Sequence, residues 1–256
     1  MEDTVKFKGH FQIQAIDAFN GMTVIDEWSD DNMIMESART SMSEIFANLN
    51  TSTWINKITL GTAGHVGDSI LIPKGKDNGF VKERTRLFSE SLVGNVNIGD
   101  TLNVIRKNDL MYINATNLEV RGYYRFISGD VYNYVVNDIV IADTSYWEFI
   151  GTVKPYTYNI NFTLPQTNST IGGTLATGIS EDDSGSGSTV KVLQSSTSVT
   201  FTIDIATAAA NGQNETTSIF TEAALYANER IFAMKTFKAK VKDSTVLLRI
   251  VWTITF

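Results

Sequence analysis

The chain has 256 residues, enough for one large β domain or for a core domain carrying a smaller one, and either would bury a sizeable core. Its 21 Lys and Arg against 28 Asp and Glu leave a formal net charge of −7, which repels nucleic-acid backbones and anionic membrane surfaces. With no cysteine, the sequence excludes disulfides, thiolate zinc sites and a cysteine nucleophile.

The opening stretch MEDTVKFKGH holds no apolar run, and no stretch elsewhere approaches the roughly 20 apolar residues of a membrane span. Membrane insertion is therefore not expected, and assembly is expected in a cytoplasm. Asn-x-Ser/Thr sequons at Asn50, Asn114, Asn161, Asn168 and Asn214 read as the by-product of a composition rich in Asn, Thr and Ser.

Between Lys6 and Ala15, Phe7, Phe11, Ile13 and Ala15 alternate with Lys6, Lys8, His10, Gln12 and Gln14, the period of a half-buried strand. Asn20-Gly21 is a strong hairpin signal because both positions tolerate positive φ, and it makes Met22–Trp28 the returning strand. Asp31 or Asn32 can then cap a helix whose apolar positions are Met35, Ala38, Met42, Ile45, Phe46 and Leu49. A strand follows to Leu60-Gly61-Thr62, then a loop from Ala63 to Gly79, then alternation from Phe80 through Leu92.

Residues 95–152 change texture: short strands and turns with Tyr112, Tyr123, Tyr124, Phe126, Tyr132, Tyr134, Tyr146, Trp147 and Phe149. They read as a small inserted module, leaving 1–94 and 153–256 as a discontinuous core domain. Strand alternation resumes in Tyr156–Leu164, a mobile loop is expected over Gly178–Thr189, and Phe201, Ile203 and Ile205 mark another strand. At the far end Val246, Leu248, Ile250, Trp252, Ile254 and Phe256 share one face, which must be buried by something. In the strand before it Phe237, Ala239 and Val241 alternate with Lys238, Lys240 and Lys242, a stripe expected to face solvent and to discourage edge pairing. The expected fold is mainly β: an antiparallel β-sandwich core with one N-terminal helix and a small inserted β module.

For chemistry the sequence offers little. His10 sits on a polar strand face and His65 in a Gly-rich loop, so neither reads as a catalytic group or ligand. No Gly-x-Ser-x-Gly elbow is present, Pro73-Lys74-Gly75-Lys76 lacks the phosphate-loop spacing, and Glu181-Asp182-Asp183 lacks the spaced ligands of a calcium loop. The expectation is a non-enzymatic protein without catalytic residues, metal or cofactor.

Two blocks resemble small virion proteins of tailed bacteriophages. One runs through the hairpin and helix to Ile55-Asn56-Lys57-Ile58-Thr59-Leu60-Gly61-Thr62. The other comprises Ile219–Tyr226, Arg230–Ala233, Phe237–Lys242 and Ile250–Phe256. The resemblance implies a structural particle component of neck, collar, tail or head decoration. Its partners would be further copies of itself, as a dimer or trimer, and other virion proteins. The terminal strand face of Ile250, Trp252, Ile254 and Phe256 is the candidate subunit interface. Within the module, Gly99-Asp100-Thr101, Leu110–Ala115 and Asp143–Gly151 are similar to small carbohydrate-binding modules of the chitin-binding type, although Asn117–Val140 separates the halves. That likeness implies glycan stacking on Tyr112, Tyr123, Tyr124 and Trp147 and a host-surface glycan as ligand. The competing reading makes these rings the core of a disulfide-free module.

Overall fold

A computed structural model of the chain describes residues 7–47, 55–66, 68–72, 76–77, 80–81, 86–115, 121–136, 145–162, 174–179, 181–182, 188–212 and 217–256. It begins with β1 (Lys8–Asp17), β2 (Thr23–Ile34) and helix α1 (Glu36–Phe46). Next come β3 (Ile55–Gly61), β4 (His65–Val66), β5 (Ser69–Ile70), β6 (Lys76–Asp77) and β7 (Phe80–Val81). The module region holds β8 (Leu92–Val96), β9 (Thr101–Ile105), β10 (Leu110–Ile113), β11 (Gly122–Phe126), β12 (Val131–Val135) and β13 (Trp147–Gly151). The remaining strands are β14 (Thr157–Asn161), β15 (Thr174–Ile179), β16 (Glu181–Asp182), β17 (Thr189–Gln194), β18 (Ser198–Ile205), β19 (Thr217–Ala227), β20 (Arg230–Asp243) and β21 (Val246–Thr255).

Eleven strands join in the order β15-β17-β18-β21-β1-β2-β20-β19-β3-β14-β16, with every pairing antiparallel. The link between its halves is narrow: β2 meets β20 only at Met33↔Met234 and Ile34↔Ala233. There the sheet folds over, so that the halves face each other as a sandwich. Phe11 from one half stacks on Phe237 from the other at 5.2 Å, and Trp252 meets Phe11 edge-on at 4.8 Å. Ile13, Ile250 and Ile203 complete this core from one side and Ile58, Phe220 and Leu225 from the other. The mainly β, antiparallel sandwich with one helix among the described residues is the architecture the alternation predicts.

Local expectations fare unevenly. The Asn20-Gly21 hairpin forms, with Gly21 and Met22 at φ of 73° and 59°. Its second strand runs on to Ile34, so Asp31 and Asn32 are strand residues and not helix caps. The cause is the pairing of Met33 and Ile34 with β20, which carries the strand directly into α1. Met35 and Ala38 are buried as the spacing requires, whereas Leu49 lies outside the described residues. The alternation expected over Phe80–Leu92 gives strand at Phe80–Val81 and again from Leu92, and residues 82–85 lie outside the described residues. Residues 86–91 form turns instead, with Glu90 N–H on the Leu87 carbonyl and Ser91 N–H on that of Phe88. The expected Gly178–Thr189 loop is partly strand, since Glu181 pairs with Asn161 and Thr189 with Asp204. Asp183 to Gly187 lie outside the described residues.

Two corrections bear on function. β21 lies between β1 and β18, hydrogen-bonded on both edges, and Ile250, Trp252 and Ile254 are buried by this chain's own second layer. These three side chains therefore do not form a subunit interface; only Phe256, 48% exposed, remains at the surface. The lysine stripe fails as well. In β20, residues 237–239 bulge opposite the single residue Thr221 (Phe220↔Lys240, then Glu222↔Thr236), which resets the alternation. Lys238 is exposed, but Lys240 and Lys242 turn inward and are fully buried, while Val241 faces out. Lys240 Nζ sits 2.5 Å from Asp26 Oδ2. Lys242 Nζ donates to the Thr207 carbonyl at 3.0 Å, Asn211 Oδ1 at 2.7 Å and the Asp243 carbonyl at 2.8 Å.

Among the described residues, strands β8 to β13 pair with one another alone, as a four-stranded sheet β13-β11-β10-β8 and a two-stranded sheet β12-β9. Between these sheets lies a separate core that includes Val96, Ile105, Met111, Tyr124, Phe126 and Trp147.

Candidate functional site

The densest buried polar arrangement lies where the module meets the sandwich. β19 is buried on both faces: Ala223, Leu225 and Ala227 enter the sandwich core, while Glu222, Ala224 and Tyr226 point the other way. Over that outer face lie the 86–91 turns and Leu110 of the module, packed with Leu87, Phe88, Ala224, Tyr226 and Met234.

A carboxylate buried there must be fully hydrogen-bonded to be tolerated. Glu222 meets this requirement. Its oxygens accept from the Phe88 N–H at 2.8 Å, the Ser89 N–H at 2.7 Å and the Ser89 hydroxyl at 2.5 Å. Ser89 Oγ in turn accepts from the N–H groups of Thr62 (2.8 Å) and Ala63 (2.9 Å). One step along the turn, Glu90 takes the Leu87 N–H at 2.9 Å and the Tyr226 hydroxyl. Burial and the adjoining Glu90 hold that phenol far above its ordinary pKa, so it stays a proton donor. Gly61 makes the close approach feasible, because a Cβ there would lie 2.5 Å from both Glu222 Oε1 and Ser89 Oγ.

On the module side Arg125 of β11 is also fully buried. Its guanidinium donates to the Ala63 carbonyl at 2.5 Å and the His65 carbonyl at 2.7 Å, lies 3.9 Å from Glu148 Oε2 and rests 5.8 Å from the Phe88 ring. His65 Nε2 reaches the Phe237 carbonyl at 2.8 Å. The segment 61–65 is thus gripped from two sides, by Ser89 beneath Glu222 and by Arg125 from the module. Apart from the Tyr226–Glu90 pair, these acid, base and hydroxyl groups hold backbone, at buried or half-buried positions. The arrangement is a joint.

The aromatic residues divide into two sets. Tyr124 and Trp147 are buried in the module core, with the Trp147 indole N–H 2.9 Å from the Tyr134 hydroxyl. They therefore cannot stack on a sugar, and the core reading of these two rings is correct. Tyr112 and Tyr123 are directly opposite across β10 and β11, on the face away from that core. They are half-exposed, with ring centroids 4.9 Å apart and planes at 49°, which makes a shallow V and not a flat platform. Burial and the Tyr112 neighbour raise the Tyr123 pKa. Tyr132, Tyr146 and Phe149 are also exposed on the module.

Glu222, Ser89, Glu90, Arg125 and Tyr226 were not singled out by the sequence. The available signal was Glu222 inside a run otherwise free of charge, Phe220 to Leu225, where an acid is rare unless paired. Among the described residues no group of three or more His, Asp or Glu side chains is placed to hold a metal ion, and no helix is long and apolar enough to cross a membrane. Compared with known protein families, curated proteins and solved structures, the chain matches none.

Proposed function

We propose that this chain is a non-enzymatic structural component of a tailed bacteriophage particle, neck, collar or tail-associated, acting by self-association and by docking to other virion proteins. The observation that supports this reading is the joint: two fully buried charged side chains, Glu222 and Arg125, hydrogen-bond to backbone where a small β module meets a two-layer mount. The segments resembling virion proteins supply β1, β2, α1, β3, β19, β20 and β21, which are part of the mount. Immunogold electron microscopy on intact particles from the source lysate, with antibody against the purified chain, tests the proposal. Label is expected at the neck or tail; label over the head makes the chain a capsid decoration protein. Particles that stay unlabelled before and after denaturation would remove the assignment.

A second reading, adhesion to a host-surface glycan, is favoured by the half-exposed Tyr112 and Tyr123 pair alone. Replacing both with Ala should abolish binding to host cells or their polysaccharide if adhesion is the function. Unchanged binding by the folded variant would eliminate it.

A further inference from the structure

The end of the sandwich that carries the β1–β2 turn concentrates large apolar side chains at the surface. Phe19 is 74% exposed, Met22 50%, Val24 44% and Ile25 58%, four of them within seven residues. A soluble surface carries such residues singly without consequence, but a cluster marks a place where another surface is met.

The turn is also ordered in advance. The Asp17 carboxylate accepts from the Phe19 N–H at 2.9 Å, the Asn20 N–H at 3.0 Å and the Asn20 side-chain amide at 2.6 Å. Thr23 Oγ1 closes the other side on the Asn20 carbonyl at 2.7 Å. Ala18 N–H, 3.1 Å from the Thr245 carbonyl, ties the turn to the neighbouring β20–β21 turn. A backbone held this way leaves only the side-chain rotamers of Phe19 and Met22 to be ordered on binding, which lowers the cost of anchoring.

The exposed charge around the tip is mainly negative, with Asp26 paired to the buried Lys240. Asp17, Glu27 and Asp243 are directly engaged by uncharged donors: backbone N–H and Asn20, Gln14, and Thr245. These bonds hold all three carboxyls below their ordinary pKa, so they remain anionic at neutral pH. Lys240 and Lys242 act on Glu27 and Asp243 from beneath, since the β20 bulge buries both ammonium groups, so the groups exposed at the tip are the carboxylates.

From this geometry we infer that the β1–β2 tip is a preformed docking knob, Phe19 and Met22 entering an apolar socket rimmed by Lys or Arg on a different protein. The inference rests on the structural reading above and specifies how the chain is attached. A second copy of this acidic tip would repel the knob.

The test uses particles made in a host that supplies the chain with photoreactive benzoylphenylalanine in place of Phe19, alongside wild type and Phe19→Asp. Irradiation should link position 19 to a peptide of another virion protein that carries Lys or Arg beside its apolar residues. Phe19→Asp should melt like wild type by circular dichroism, yet fall at least about tenfold in the amount retained on purified particles. A cross-link to a second copy of this chain overturns the inference, and so does undiminished retention of Phe19→Asp. Absence of the wild-type chain from purified particles would overturn the structural reading itself, an outcome separate from failure of the knob.

Discussion

Glu222 is the side chain on which the joint depends most, and Glu222→Gln tests that claim with little change in shape. The carboxylate accepts from the Phe88 N–H, the Ser89 N–H and the Ser89 hydroxyl, each of them a donor. Whichever way the new amide turns, its NH2 confronts either the Phe88 N–H or the Ser89 N–H and hydroxyl. At least one hydrogen bond to a charged group is lost, worth about 1.5–3 kcal/mol, and a buried donor is left facing a donor, at about 1–3 kcal/mol. Relief of the carboxylate's own desolvation offsets part of this, leaving an expected destabilisation of about 3 kcal/mol. For a chain of this size that lowers Tm by roughly 6–12 °C. Urea unfolding followed by circular dichroism measures the loss, and hydrogen exchange at the Phe88 and Ser89 amides reports its location. A Glu222→Gln protein within 0.5 kcal/mol of wild type, with those amides equally protected, would refute the assignment of this carboxylate as the clamp.

Gly61→Ala should destabilise by about 1–3 kcal/mol in the same urea assay, since its Cβ would press on Glu222 and Ser89 at 2.5 Å. Arg125→Met keeps the stem but strands the Ala63 and His65 carbonyls, so it should cost about 2–4 kcal/mol and speed proteolysis within 86–151 more than within β18–β21. Trp147→Ala should cost about 3–5 kcal/mol by opening the module core, whereas Tyr112→Ala should cost far less. Burial pushes the Lys242 ammonium down to about 8 from the ordinary 10.5. Below pH 8 both folded and unfolded chains hold that proton and the burial cost is complete. As pH rises from about 8 towards 10.5 the folded state alone sheds it, so this group should make the chain more stable. Urea midpoints at pH 7.5 and 9.5, with Lys242→Met as the variant in which this gain is absent, read the sign.

What the sequence revealed was whatever a period of two can encode. The apolar face of β21, the Asn20-Gly21 turn and the strand of Phe201, Ile203 and Ile205 are each fixed by side-chain pattern against a single core. The pattern failed where a strand changes phase or serves two cores. The β20 bulge reverses the lysines without leaving a mark in their spacing, and the Phe80–Leu92 alternation is overridden over residues 86–91 because the amides of Phe88 and Ser89 turn to bind Glu222. Composition could not distinguish Tyr124 from Tyr123, since adjacent strand residues face opposite ways and only the register decides which ring is buried. Ile250, Trp252 and Ile254 were correctly seen to need covering, but pairing between distant strands determines that the cover is the chain's own second layer.

The adjacency of β1 and β21, paired from Lys8↔Thr255 to Asp17↔Val246, has a consequence for biogenesis. β1 leaves the ribosome some 230 residues before β21, and until then its outer backbone edge is unpaired and the face carrying Phe11 and Ile13 is uncovered. Among the described residues, strands β8 to β13 pair within 92–151, so this pairing can be complete during synthesis. Nascent chains should therefore hold a finished module beside an unclosed sandwich, a species whose yield depends on translation speed and on chaperones that shield the first hairpin.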